Sequence, residues 1–181
     1  MLFGWTPTLL LRTQVESCTV ELYQVRSLRQ LRADALMVPS NRLLWMGARV
    51  AKRVRDEAGD LVEEEARRHA PLPPGGVVAT GGGMLRVRLI LHVNILNEFQ
   101  IATQDLLTTA LDNAFIACEQ AGASRVLIPD FTDQLEGWSA DRCAQVILGA
   151  IRRNARRVRQ VLIACWEQEH ADAYRQVLSG S

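Results

Sequence analysis

Residues 34–59 read D-A-L-M-V-P-S-N-R-L-L-W-M-G-A-R-V-A-K-R-V-R-D-E-A-G. The first five form a short apolar run bounded by Asp34 and Pro39, which reads as a buried strand. From Arg49 to His69 apolar residues return at Val50, Val54, Ala58, Leu61, Val62 and Ala66. That is helical spacing, and Gly59 divides it into two helices. A short turn from strand into helix is where many α/β proteins hold a phosphate, because the helix N-terminus offers unpaired N–H groups and the positive end of its dipole. Phosphate turns usually carry several glycines. This one carries Gly47 alone, flanked by Met46, Ala48 and Arg49. It is a ligand site, an altered ligand site or a plain connection.

Outward from this turn the same alternation continues. Residues 18–25 alternate apolar and polar, as a half-buried strand does. P-L-P-P-G-G at 71–76 is a firm break, with strands expected at 77–80 and 87–93 around G-G-G-M at 81–84. The segment 103–121 has one apolar face and stops at Gly122. A strand at 125–129, a polar loop at 130–138, a helix capped by Ser139, a strand at 160–165 and a helix at about 167–178 complete the chain. Continuously apolar strands between helices predict a sheet covered on both faces, with ligands at the carboxyl ends of its strands. Loops 39–49 and 129–139 both lie there, and both helix N-termini are expected to face one crevice.

The 181 residues suit a single domain over 1–181, with about 1–17 as an N-terminal extension or extra strand. No apolar run is long enough for a membrane span, and the start lacks the basic region of a secretory leader. Cys18, Cys118, Cys143 and Cys165 are scattered without a C-x-x-C pair, so buried reduced thiols and a cytoplasmic setting are expected. The net charge of +1 gives no global field toward nucleic acid, which is not an expected partner. No cofactor and no metal set is called for. Lys52 is the only lysine, and the arginines at 152–159 fall at a helix end where cations suit the dipole; a local nucleic-acid patch is the secondary reading, because no aromatic residue is interleaved with them.

On these residues the chain resembles the macro domain family, the module known for binding ADP-ribose, over roughly 20–178. D-A-L-M-V-P-S-N at 34–41 is similar to that family's Asp-Ala, apolar strand and Asn. Leu44, Gly47, Val50 and A-G at 58–59 follow at its spacing. T-G-G-G-M-L at 80–85, R-L-I-L-H-V at 88–93 and I-P-D-F at 128–131 resemble its later motifs. The resemblance implies a three-layer α/β/α fold with a mixed, largely parallel central sheet. It also implies a ligand cleft formed by Asn41, Gly47, Ala48, Arg49 and Val50 on the first loop. The second loop would contribute Thr132, Asp133, Gln134, Leu135 and Gly137.

The departures fall on chemistry. The family's first glycine run is M-G-A-R at 46–49, and its second is T-D-Q-L-E-G at 132–137. Gln134 stands where a glycine lets the backbone approach phosphate. Asp133 and Glu136 set carboxylates beside an expected dianion. The adenine-reading Asp is replaced by Arg26 and Ser27. The Asp that positions water in hydrolytic members is Ala51, which can neither take a proton nor orient water, so no catalytic residue is assigned.

Several residues have two available roles. Asn41 either faces a ribose or caps its own turn. Arg49 either binds phosphate or pairs with Asp133 or Glu136. Trp45 and Trp138 either stack on a base or plug a pocket. His92 is expected as a core histidine, His69 and His170 as surface or helix-end residues, and Glu63 to Glu65 as solvated helix charges. The leading expectation is a divergent module binding ADP-ribose or a related nucleotide. The alternative is a degenerate site on a protein-interaction fold, as a homo-oligomer; an ADP-ribosyl hydrolase is the least supported reading.

Overall fold

The computed structural model describes residues 6–180. Expectations for residues 1–5 lie outside that range. Seven strands form one sheet: β1 (Thr8–Val15), β2 (Cys18–Gln24), β3 (Ala35–Ser40), β4 (Val77–Gly81), β5 (Leu89–Asn94), β6 (Arg125–Pro129) and β7 (Gln160–Cys165). Among the described residues five α-helices accompany them: α1 (Arg49–Ala58), α2 (Leu61–Arg67), α3 (Gln104–Gln120), α4 (Ala140–Asn154) and α5 (Gln168–Ser179). The strand order is β1-β2-β7-β6-β3-β5-β4. The five central strands run parallel, and β1 and β4 close the two edges antiparallel. The extra strand allowed for before residue 17 is β1.

Alternation along the strands sorts side chains onto two cores. Ala35, Met37, Leu91, Val93, Val126, Ile128, Val161 and Ile163 pack with the apolar faces of α3, α4 and α5. Leu36, Val38, Ile90, Leu127, Leu162 and Ala164 face the opposite way, toward α1 and α2. Burial on both faces explains why the central strands read as unbroken apolar runs. Val50, Val54 and Ala58 turn one stripe of α1 inward. Gly59, at φ 99°, ends that helix where a side chain would be strained.

Three details differ from the sequence reading. β3 runs on through Pro39 and Ser40. The polar loop at 130–138 contains a 3-10 turn at Thr132–Gln134. The glutamates of α2 are not merely solvated: Glu63 accepts from the Met46 N–H and Glu65 from the Gly81 N–H at 3.3 Å. Each carboxylate thus anchors a loop that helix spacing alone could not reveal. The four cysteines are free and buried, as expected. Burial pushes the Cys18 thiol up to about 11 and that of Cys118 to about 12.

Candidate functional site

The parallel strands deliver both loops to their carboxyl edge. Asn41 organises the first loop. Its Nδ2 donates to the Trp45 carbonyl at 2.8 Å, and its Oδ1 accepts from the N–H groups of Leu43 (3.1 Å) and Trp45 (3.2 Å). Both ends of the amide are therefore engaged within the turn. Leu44 and Met46 are fully buried beneath the loop, whereas Trp45 is half exposed above it. The indole lies on Gly47: a Cβ at position 47 would fall 1.8 Å from Trp45 Cζ2. A side chain at position 47 would displace that ring from its present position. The left-handed backbone of the loop is carried by Leu44 (φ 57°) and Arg49 (φ 53°), where glycine would be at ease.

Ala48 is the N-cap of α1 and has no side-chain oxygen to give. The second loop supplies the acceptor instead. Gln134 Oε1 accepts from the Ala51 N–H at 3.2 Å, so a side chain of one loop caps the helix that follows the other. Between the loops lies a cleft of about 480 Å³, lined by Ala48, Arg49, Gln134 and Glu136 with Leu96 and Gln100 to Ala102 of the β5–α3 connection. Arg49 is exposed on its wall. Among the described residues Arg49 forms no ion pair, so the expected pairing with Asp133 or Glu136 is not made.

The second loop divides between two sides. Leu135 is buried in the α3–α5 core. Gly137 turns at φ 78° with open space around it. Thr132 and Asp133 line a different, open groove of about 740 Å³ with Trp138, Ser139 and His170. The N-terminus of α4 opens there rather than on the first cleft, against the expectation of a single crevice. Trp138 is also away from the cleft, its ring under the Arg142 guanidinium at 3.8 Å.

Sequence reading missed what lies beneath that groove. Asp130 is 2% exposed and accepts through Oδ1 from Thr132 Oγ1 (2.8 Å) and the Tyr174 hydroxyl (3.1 Å). Its Oδ2 meets His170 Nδ1 at 2.7 Å. His170 is therefore tied to the core by α5, not loose on the surface. Burial and then the nearby Asp130 charge push the Cys143 thiol up to about 12. The only sequence signal was an Asp inside an apolar strand end at 128–131. His92 is a core histidine, its Nε2 2.9 Å from Thr80 Oγ1. Trp166, following β7 at the same carboxyl edge, was also overlooked; the Arg53 guanidinium lies 4.8 Å over its ring.

Among the described residues no group of His, Cys, Asp and Glu is arranged to hold a metal ion, and no helix is long and apolar enough to cross a membrane.

The sequence model of the Macro domain matches residues 38–147. An uncharacterized protein of Pyrobaculum aerophilum is 27% identical over 167 residues, covering 88% of this chain and 90% of that protein. The Oceanobacillus iheyensis macrodomain solved with ADP superposes with a TM-score of 0.80 at 20% identity, covering 94% of this chain and 95% of that one. The Trypanosoma brucei macrodomain in complex with ADP-ribose gives a TM-score of 0.75 at 17% identity over 86% and 68% of the two chains. With the family model spanning both loops and the strands between them, this chain belongs to the macro domain family.

Proposed function

We propose that the cleft between the two loops binds ADP-ribose or a related nucleotide, with Arg49 rather than bare backbone as the principal phosphate contact. The observation that carries this reading is Arg49 itself: a guanidinium on the cleft wall, with no carboxylate claiming it, directly at the N-terminus of α1. A planar guanidinium offers paired donors to a phosphate. The macrodomains solved with ADP and ADP-ribose share the fold and supply the ligand class. Asn41, Gly47, Ala48 and Val50 would shape the near wall, Gln134 the far one. Thr132, Asp133, Leu135 and Gly137 would act by holding the second loop in place. Ala51 offers no group to activate water, so the proposal is binding without hydrolysis.

A second reading has its own observation. Trp45 covers Gly47, and Leu43, Phe99 and Ile101 are exposed on neighbouring loops. A protein-contact surface replacing the nucleotide site would present such a rim. Calorimetric titration with ADP-ribose, ADP and AMP separates the two: heats that saturate support the nucleotide site, and their absence supports the second.

A further inference from the structure

We propose that the opposite, amino edge of the sheet binds the phosphodiester backbone of nucleic acid. The parallel topology creates this surface. Residues just ahead of each parallel strand meet at one edge. There the chain places Arg159 before β7, Arg125 at the start of β6, Arg86 and Arg88 before β5, and Arg32 shortly before β3. Backbone hydrogen bonds lock these segments side by side: Thr19 N to Arg159 O (3.0 Å), Arg159 N to Ser124 O (2.8 Å), Asp34 N to Arg125 O (2.8 Å), Arg88 N to Asp34 O (3.0 Å) and Ala33 N to Arg86 O (3.2 Å). At about 4.8 Å per strand, the row from β7 to β5 extends roughly 14 Å.

Part of the carboxylate charge along the row is met by backbone N–H groups and by other arginines, while Asp34 also lies near Arg88 and Glu21 near Arg125. Asp34 accepts from the N–H groups of Ser124 (2.9 Å) and Arg125 (2.8 Å). Glu21 is taken by Arg12, and Glu119 by Arg157. Glu16, in the β1–β2 turn, stays exposed at one end. Arg32, Arg86, Arg159 and, in the α4–β7 connection three residues before Arg159, Arg156 are exposed and form no ion pair or side-chain hydrogen bond among the described residues. At the other edge Asp133, Asp141, Glu169 and Asp172 ring the open groove. The exposed arginines of the row are gathered on one edge of a chain whose net charge is only +1.

A row of separate guanidiniums spread over such a length fits a polymer of phosphates better than one small anion. Nucleic acid presents one charge per about 3.4 Å of each strand. Contacts to phosphate alone carry no base information, so the binding is sequence-independent.

The test is fluorescence anisotropy with a labelled 20-base-pair DNA duplex and the full chain. If four arginines engage, the duplex slope of log K on log salt is about −3.6, a loss of ~150-fold between 50 and 200 mM salt. The variant R86Q/R156Q/R159Q should flatten that slope by about three, at roughly one per phosphate contact. Arg142→Gln, at the other edge, should leave it unchanged. Excess ADP-ribose should not displace the duplex, which keeps this surface distinct from the cleft. No anisotropy change at 50 mM salt, an unaltered slope in the triple variant, or displacement by ADP-ribose would each overturn the proposal.

Discussion

Gln134 Oε1 sits 3.2 Å from the Ala51 nitrogen, joining the two loops of the cleft through the N-terminal end of α1. A neutral carbonyl here both caps α1 and competes for its donors. Gln134→Gly removes the cap at a cost of about 1 kcal/mol, which lowers Tm by roughly 2–4 °C in a chain of this size. The same change frees the Ala51 N–H and bare backbone for a ligand. Affinity for ADP-ribose should rise while stability falls, measured by calorimetry and thermal unfolding. A parallel loss of both would show that Gln134 supports the ligand instead of displacing it.

Gly47 and Trp45 form a second coupled pair. Gly47→Ala sets a methyl group 1.8 Å from the indole as it now lies, so the ring must leave. The cost should be about 1–3 kcal/mol, as for other overpacked contacts. Trp45→Ala in the same chain should restore most of it, because the three nearest atoms to that methyl group all belong to Trp45. Denaturant unfolding of the four chains in the cycle gives the coupling. Equal losses in the single and double variants would place the demand for glycine in the backbone.

Arg49 holds a left-handed φ of 53°, so its side chain and its backbone can be tested apart. Arg49→Gly relieves about 1–2 kcal/mol of backbone strain, offset by roughly 0.5–1 kcal/mol of added chain entropy. Stability should thus change little. Loss of a charge-assisted hydrogen bond of about 1.5–3 kcal/mol predicts a ten- to hundredfold weaker affinity for ADP-ribose. Tighter binding by Arg49→Gly would mean that Arg49 blocks the cleft.

His92 makes stability depend on pH. Burial, and then the nearby His69, lower its pKa from 6.5 to about 4. The unfolded chain therefore takes up this proton first as pH falls. Nothing is lost above about 6.5; between 6.5 and 4 stability declines by on the order of 3 kcal/mol in all. His92→Leu should flatten that part of a stability–pH curve. An unchanged slope in the variant would assign the decline to other groups.

How much of this was legible beforehand follows from the kind of signal each feature leaves. The strand at 34–38 and the helix stripe Val50–Val54–Ala58 were readable because one-dimensional periodicity mirrors burial. The covering of the first loop by Trp45 was not, since the ring and Gly47 are brought together by the path of the turn. Nor was the split of 132–138, where a 3-10 turn sends Gln134 toward α1 and Thr132 toward Asp130. His170 was read as a surface or helix-end residue, and its tie to Asp130 was missed because that partner lies forty positions away and meets it only through α5 packing against β7. Of the arginine row, Arg156 and Arg159 were visible in the cluster at 152–159, but only parallel strand order sets them beside Arg32, Arg86 and Arg88.

The central claim is that a nucleotide still enters the cleft beside Arg49. Titrating the wild-type chain with ADP-ribose in a calorimeter tests it most directly. The account predicts saturable binding tighter than about 100 μM, or roughly 5.5 kcal/mol. No heat of binding at millimolar ADP-ribose would contradict it and leave the Trp45-covered turn as a contact surface.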